Sequence, residues 1–167
     1  MKRLLSILIL TFSFYHLAVA QEKFDWNDSI FKVGQTRNIP LALLYNGSST
    51  LICSEDVYGI NKLTFDSLVT FLNKNTEISA ALIWHTGTIG SAKYNFLFSN
   101  KVAESLLKEL IRLGISAKRI TATGLGESRP IISEEEIKNN EDDDKKFQLD
   151  RINRRVEIII TAAPVRK

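Results

Sequence analysis

The chain has 167 residues, with 22 Lys and Arg against 19 Asp and Glu, a formal charge of +3. That charge is too small for a nucleic-acid-binding face, and 44% apolar with 25% charged residues excludes a disordered chain. A single cysteine and two histidines exclude a disulfide framework and any multi-cysteine metal site, so neither metal nor cofactor is expected.

Residues 1–20 read as a secretory signal peptide. Met1-Lys2-Arg3 is basic, Leu4 to Leu17 is largely apolar, and Ala18-Val19-Ala20 is a small-x-small cleavage pattern. The run is short for a membrane span. Cleavage would remove two basic residues and no acidic one, leaving an exported, near-neutral chain of charge +1. Cys53 would then be a lone thiol, either buried as a small hydrophobe or paired with another chain.

Residues 21–38 read as a loose lead-in, with Trp26, Phe31 and Val33 isolated. A domain follows over 39–161. Ile39, Leu41, Leu43 and Tyr45 alternate as a strand would, with Pro40 at its start or edge. Ser48 and Ser49 lie in the loop after it. Val57, Ile60, Leu63, Leu68 and Leu72 predict one helix face, with Ser54 as N-cap. Ser79 to His85 predicts a buried strand. Tyr94, Phe98, Val102, Leu106 and Leu110 predict a second helix, closed by Gly114 with Ile115 beside it. Arg119 to Thr123 predicts a strand and residues 124–130 a loop. Within 134–144, seven carboxylates against Lys138 read as a solvated insertion, and Arg155 to Thr161 as the last strand. Residues 162–167 are a tail. The order predicts an α/β (α+β) fold, with helices on one face of a small mixed sheet.

The chemistry this pattern could carry is sparse. The acidic run offers oxygen ligands to calcium, but it lacks an EF-hand's glycine and spacing. Gly124-Leu125-Gly126 lacks the third glycine of a phosphate loop. Cys53 and His85 have no orienting third group for nucleophilic catalysis, so no enzyme is expected. There remains a cluster of loops beyond the strand ends, with Thr86–Gly90 on one side and Arg151, Asn153, Arg154 and Arg155 on the other. Such a cluster suits a small anionic ligand, and arginines paired with surface acids are the plainer reading.

An ordered set of residues carries a resemblance. His85-Thr86, Gly90-Ser91, Tyr94-Asn95, Ser99 and Ala103 are followed by Gly114-Ile115 and Arg119-Ile120. The set runs on through the stretch from Gly124 to Pro130 and closes with Arg151-Ile152-Asn153-Arg154-Arg155-Val156-Glu157-Ile158. Over about residues 31–161 the chain resembles the OmpA C-terminal-domain-like family, the group of OmpA, MotB and the peptidoglycan-associated lipoprotein. The resemblance implies a βαβαββ sandwich on a four-stranded mixed sheet. It further implies export to the periplasm of a Gram-negative bacterium, in association with the outer membrane or cell wall, and non-covalent binding of the peptidoglycan stem peptide. Family positions kept here, and so implied to bind, are Thr86, Thr88, Asn95, Arg151 and Arg154. The family's two charged anchors, an Asp for the ligand ammonium and an Arg for its carboxylate, are replaced by Gly87 and Val102. A charged hydrogen bond contributes about 1.5–3 kcal/mol, so losing two would weaken binding by roughly two to four powers of ten. The expectation is a non-enzymatic cell-envelope module with weakened or altered peptidoglycan recognition. The alternative is a degenerate domain of the same type, reused as a periplasmic protein-interaction module with other outer-membrane or envelope proteins as partners.

Overall fold

The computed structural model describes residues 22–41, 56–57 and 60–164. The signal peptide, Leu43, Tyr45, Ser48, Ser49, Cys53 and Ser54 lie outside them. In chain order the elements are β1 (Thr36–Pro40), β2 (Asp56–Val57), β3 (Ile60–Asn61), α1 (Lys62–Lys74), β4 (Ser79–His85) and α2 (Ala92–Arg112). They continue with β5 (Ile120–Gly126), α3 (Glu134–Lys138), α4 (Asp143–Asn153) and β6 (Arg155–Ala162).

Among the described residues, one mixed four-stranded sheet is ordered β1-β6-β4-β5, and β2 and β3 pair apart as a short antiparallel ribbon. β1 and β4 flank β6 antiparallel, while β4 and β5 run parallel, joined by α2. Parallel neighbours need such a crossover. The register aligns one apolar face: Ile39 opposite Val156, Leu82 opposite Ile158 and Ala80 opposite Ile160. All six are buried, and α1 packs Phe65, Leu68, Phe71 and Leu72 into the same core. Each large side chain buried this way contributes about 1.5–3 kcal/mol.

β4 and the body of β6 fall where the sequence predicts them, because apolar runs of 7 and 8 residues bounded by turns suit a strand and are short for a buried helix. α2 ends as predicted. Gly114 adopts φ 93°, its amide donates to the Ile111 carbonyl, and the Ile115 amide donates to that of Leu110. This is a complete Schellman motif, with Leu110 and Ile115 both buried beneath it.

Five expectations change. The first strand is Thr36–Pro40 rather than a run from Ile39, and Lys23 bridges to Thr36. The lead-in is not loose: Phe24, Trp26 and Phe31 converge on Phe71, with ring centroids 5.4, 5.2 and 5.3 Å from it. Residues isolated in sequence thus make one aromatic cluster in space. α1 begins only at Lys62, after the ribbon, and Leu63 is 77% exposed. β5 runs on through Gly126, so Gly124 and Gly126 are strand residues rather than loop. The acidic segment is exposed but largely helical. Ser133 accepts the Glu136 amide to start α3, and Asp142 accepts those of Asp144 and Lys145 to start α4. Caps and first-turn carboxylates favour a helix N-terminus without any apolar stripe.

The α2 face also shifts. Its buried side is Asn95, Ser99, Ala103, Leu106 and Leu110, whereas Tyr94 is half exposed. The cause lies in β5. A Cβ added at Gly124 would collide with the Ser99 backbone, and one at Gly126 would lie 2.8 Å from the Phe96 amide nitrogen. Helix and strand approach so closely that small and polar α2 residues must face the glycines. Tyr94 and Phe98 then stack on each other outside, with centroids 6.0 Å apart.

Candidate functional site

The carboxyl ends of β4 and β5 and the amino ends of α2 and β6 meet at one edge of the sheet. At that edge β4 and β5 slip register between Trp84 and His85, which leaves Leu125 unpaired beside Gly126. Such a bulge bends a strand end and redirects its loop. The Thr86 amide donates to the Gly126 carbonyl, at 3.0 Å, and fixes the start of the 86–90 loop.

Asn95 holds the far side of that loop. Its buried Nδ2 lies 2.5 Å from Glu127 Oε2, 3.2 Å from the Ile89 carbonyl and 3.4 Å from that of Gly87. An amide nitrogen has two hydrogens, so the two shorter contacts carry the bonding. Ser91 caps α2 by accepting the Tyr94 amide.

The centre of the site is Asp150, on α4. Its Oδ1 accepts the Thr88 amide at 2.6 Å and the Thr88 hydroxyl at 3.0 Å. Its Oδ2 accepts Arg154 Nη2 at 2.6 Å and Nε at 3.1 Å. Asp150 is 2% and Arg154 5% exposed, and the guanidinium lies 5.0 Å over the Phe147 ring. A Cβ added at Gly87 would come within 2.5 Å of the Asp150 Cγ and Oδ1. The space for a side chain at position 87 is therefore filled by a carboxylate from another element.

The neighbours in the closing signature tie loops together. Asn153 Oδ1 accepts the Ile131 and Ile132 amides at 2.8 and 2.9 Å, and its Nδ2 donates to the Ile132 carbonyl. Arg155 donates to the carbonyls of Asn153 and Arg129. On the same face of the sheet, His85 Nε2 lies 3.2 Å from Glu157 Oε2. Burial holds the His85 pKa below its usual value, outweighing the raising effect of Glu157. The hydrogen bond from His85 holds the Glu157 carboxyl below its usual value.

Of the residues the sequence singles out, Thr88 and Arg154 meet on Asp150, and Asn95 braces the same loop through backbone carbonyls. Thr86 is half-buried, and its hydroxyl has no hydrogen-bond partner among the described residues. Arg151 is exposed, with a long 3.4 Å contact to Gln148. Val102 does not join the cluster: it packs against the hydrophobic core, nearly two helical turns beyond Asn95. Asp150 and Glu127 are the residues that sequence reasoning passes over. The four-residue spacing of Asp150 and Arg154 was the available signal.

Residues 61–143 match the model of the OmpA family. Outer membrane protein A of Klebsiella aerogenes is 35% identical over 88 residues, covering 47% of this chain and 25% of that protein. Outer membrane porin F of Pseudomonas fluorescens is 29% identical over 99 residues, covering 59% and 29%. The chain thus spans less than a third of the length of these relatives. Among solved structures, a MotB-like protein of Desulfovibrio vulgaris superposes with TM-score 0.57 at 22% identity, over 80% of this chain and 82% of that one. The peptidoglycan-associated lipoprotein of Burkholderia pseudomallei gives 0.51 at 18%, over 74% and 89%. These likenesses show the fold, including the mixed four-stranded sheet with its helices.

Proposed function

The chain belongs to the OmpA family, and from that premise we propose that it is an exported, non-enzymatic envelope module that associates with peptidoglycan through the loop cluster around Thr86–Thr88. Relatives of the same fold are named for this role: a peptidoglycan-associated lipoprotein, and the cell wall anchor of the T6SS of Pseudomonas aeruginosa. The observation that carries the reading is the convergence of Thr88, Asn95 and Arg154 at one sheet edge. Recognition differs from the family pattern, because position 102 is core-packed valine and the carboxylate at position 87 belongs to Asp150.

The test is cosedimentation of the exported chain with purified sacculi, followed by titration calorimetry with a diaminopimelate-containing stem peptide. The expected result is retention on sacculi with stem-peptide affinity weaker than about 100 μM. Absence of any retention would remove the proposal.

A second reading, a protein-interaction module, is favoured by one feature. Ile89, Tyr94, Phe96 and Leu97, at the amino end of α2 and the loop before it, are each at least half exposed. Exposed apolar groups gathered in one place suit a protein partner better than a wall peptide. Chemical cross-linking in envelopes that fails to capture a specific protein through Tyr94→Cys would dismiss it.

A further inference from the structure

The donors around Asp150 describe a receptor more fully than an ion pair needs. A carboxylate has about four acceptor positions. Here all four are met from within the chain, by the Thr88 amide, the Thr88 hydroxyl, Arg154 Nε and Arg154 Nη2. All four of these contacts are donors, and two of them come from a cation. Gly87 completes the arrangement by offering no side chain, since any Cβ there would overlap the carboxylate. No lone pair remains for an incoming ammonium, so the cluster as it stands cannot anchor an amine.

We propose that Gly87, Thr88 and Arg154 form a carboxylate-binding cradle that the chain's own Asp150 occupies, so that an external carboxylate binds there only when Asp150 is displaced. The ligand class is a small carboxylate or the carboxylate of a peptide. Asp150 is an internal stand-in for it and keeps the cradle closed. The inference rests on reading this loop cluster as the ligand-binding end of the domain. It deepens that reading by assigning the cluster a specificity for anions and an occupant.

The experiment replaces the occupant and supplies a probe. Asp150→Ala opens the cradle, and Asp150→Asn fills it with a neutral group of the same shape. Each is melted in acetate and in chloride at matched ionic strength, and the Thr88 amide resonance is followed through an acetate titration. Asp150→Ala is expected to melt below wild type and to gain about 3–6 °C in acetate over chloride, by mass action on the folded state. The Thr88 amide shifts in step. Wild type and Asp150→Asn show no acetate-specific gain. Adding Gly87→Ala to Asp150→Ala abolishes the gain, because the new methyl fills the space.

Asp150→Ala that folds only in acetate also supports the cradle. Equal behaviour in the two salts, whether folded or unfolded, overturns it. So does an acetate gain in wild type, since the cradle would then be open already. Cosedimentation with sacculi, run on the same samples, separates the two ideas. Lost retention with an intact acetate response refutes the wall-binding role alone, and the converse refutes the cradle alone.

Discussion

Gly124 lies against the backbone of Ser99 so closely that no side chain fits between β5 and α2 there. The Ser99 hydroxyl uses the approach, accepting the Gly126 amide at 2.9 Å, and the Asn100 side-chain oxygen accepts that of Gly124 at 3.2 Å. Backbone groups at the end of β5 are thus satisfied by the helix that covers them.

Gly124→Ala should therefore cost about 2–3 kcal/mol, because neither backbone can yield without repacking. Gly114→Ala offers the control. Nothing lies within 4 Å of a Cβ there, but φ is 93°, so the loss should be about 1–2 kcal/mol from backbone strain alone. Urea unfolding of both variants checks the ranking, and a larger loss at Gly114 would contradict the close-packing account.

Restoring an acid at position 87 alone should fail. The new carboxylate of Gly87→Asp would meet that of Asp150 in one volume, and we expect a loss of about 2 kcal/mol or more. Asp150→Ala should cost about 3–5 kcal/mol, since it leaves Arg154 buried without its carboxylate. The double variant returns a carboxylate to the same neighbourhood. It should lose 1–3 kcal/mol less than the two singles added together, in the manner of coupled contacting sites. Strict additivity in a denaturation cycle would mean that positions 87 and 150 do not share the space.

Arg119 closes α1. Its Nη1 donates to the carbonyls of Asn75 and Ile78 at 2.8 and 3.0 Å, and its Nη2 to that of Leu72 at 2.9 Å. A cation at a helix C-terminus meets both the unpaired carbonyls and the dipole. A lysine ammonium lacks the planar fork that spans three carbonyls. Arg119→Lys should cost about 1–2 kcal/mol and Arg119→Met more, with hydrogen exchange speeding first in the last turn of α1. Unchanged exchange in that turn would show that the cap is not needed.

What the sequence discloses follows from how local the cause is. β4, the body of β6 and the Gly114 cap are set by neighbours a few residues apart, and they are legible. The inward face of α2 is not, because Gly124 and Gly126 select it from across the sheet. Periodicity alone favours Tyr94 and Phe98 over Asn95 and Ser99, since apolar residues dominate that count. The aromatic cluster was hidden for the same reason: Phe24, Trp26 and Phe31 have a common partner only in Phe71. In the site, Thr88 and Arg154 are visible as family positions, but Asp150 joins them from 62 residues beyond Thr88. Its four-residue spacing from Arg154 marks a possible ion pair, but nothing in an acidic, polar stretch marks that pair as buried.

His85 and Glu157 should make the protein acid-sensitive in two stages. His85 is fully buried, and Arg155 and Arg129 add to the effect of burial in disfavouring its cation, while Glu157 opposes them. Its Nδ1 has no hydrogen-bond partner among the described residues, so a proton gained there would be a buried, unmet donor. With the folded pKa below the unfolded value of 6.5, the unfolded chain binds more protons under that pH. Stability from His85 is thus complete above about pH 6.5 and is lost as pH falls below it. Glu157, also lowered in the folded state, contributes stability above its unfolded value of 4.5, which is lost as pH falls through its depressed folded pKa. Melting temperature should decline from pH 7.5 to 5 and more steeply under pH 4.5. His85→Gln, which keeps a donor toward Glu157 without titrating, should flatten the upper part of the curve and leave the lower part. A His85→Gln curve parallel to wild type between pH 7.5 and 5 would place the acid sensitivity elsewhere.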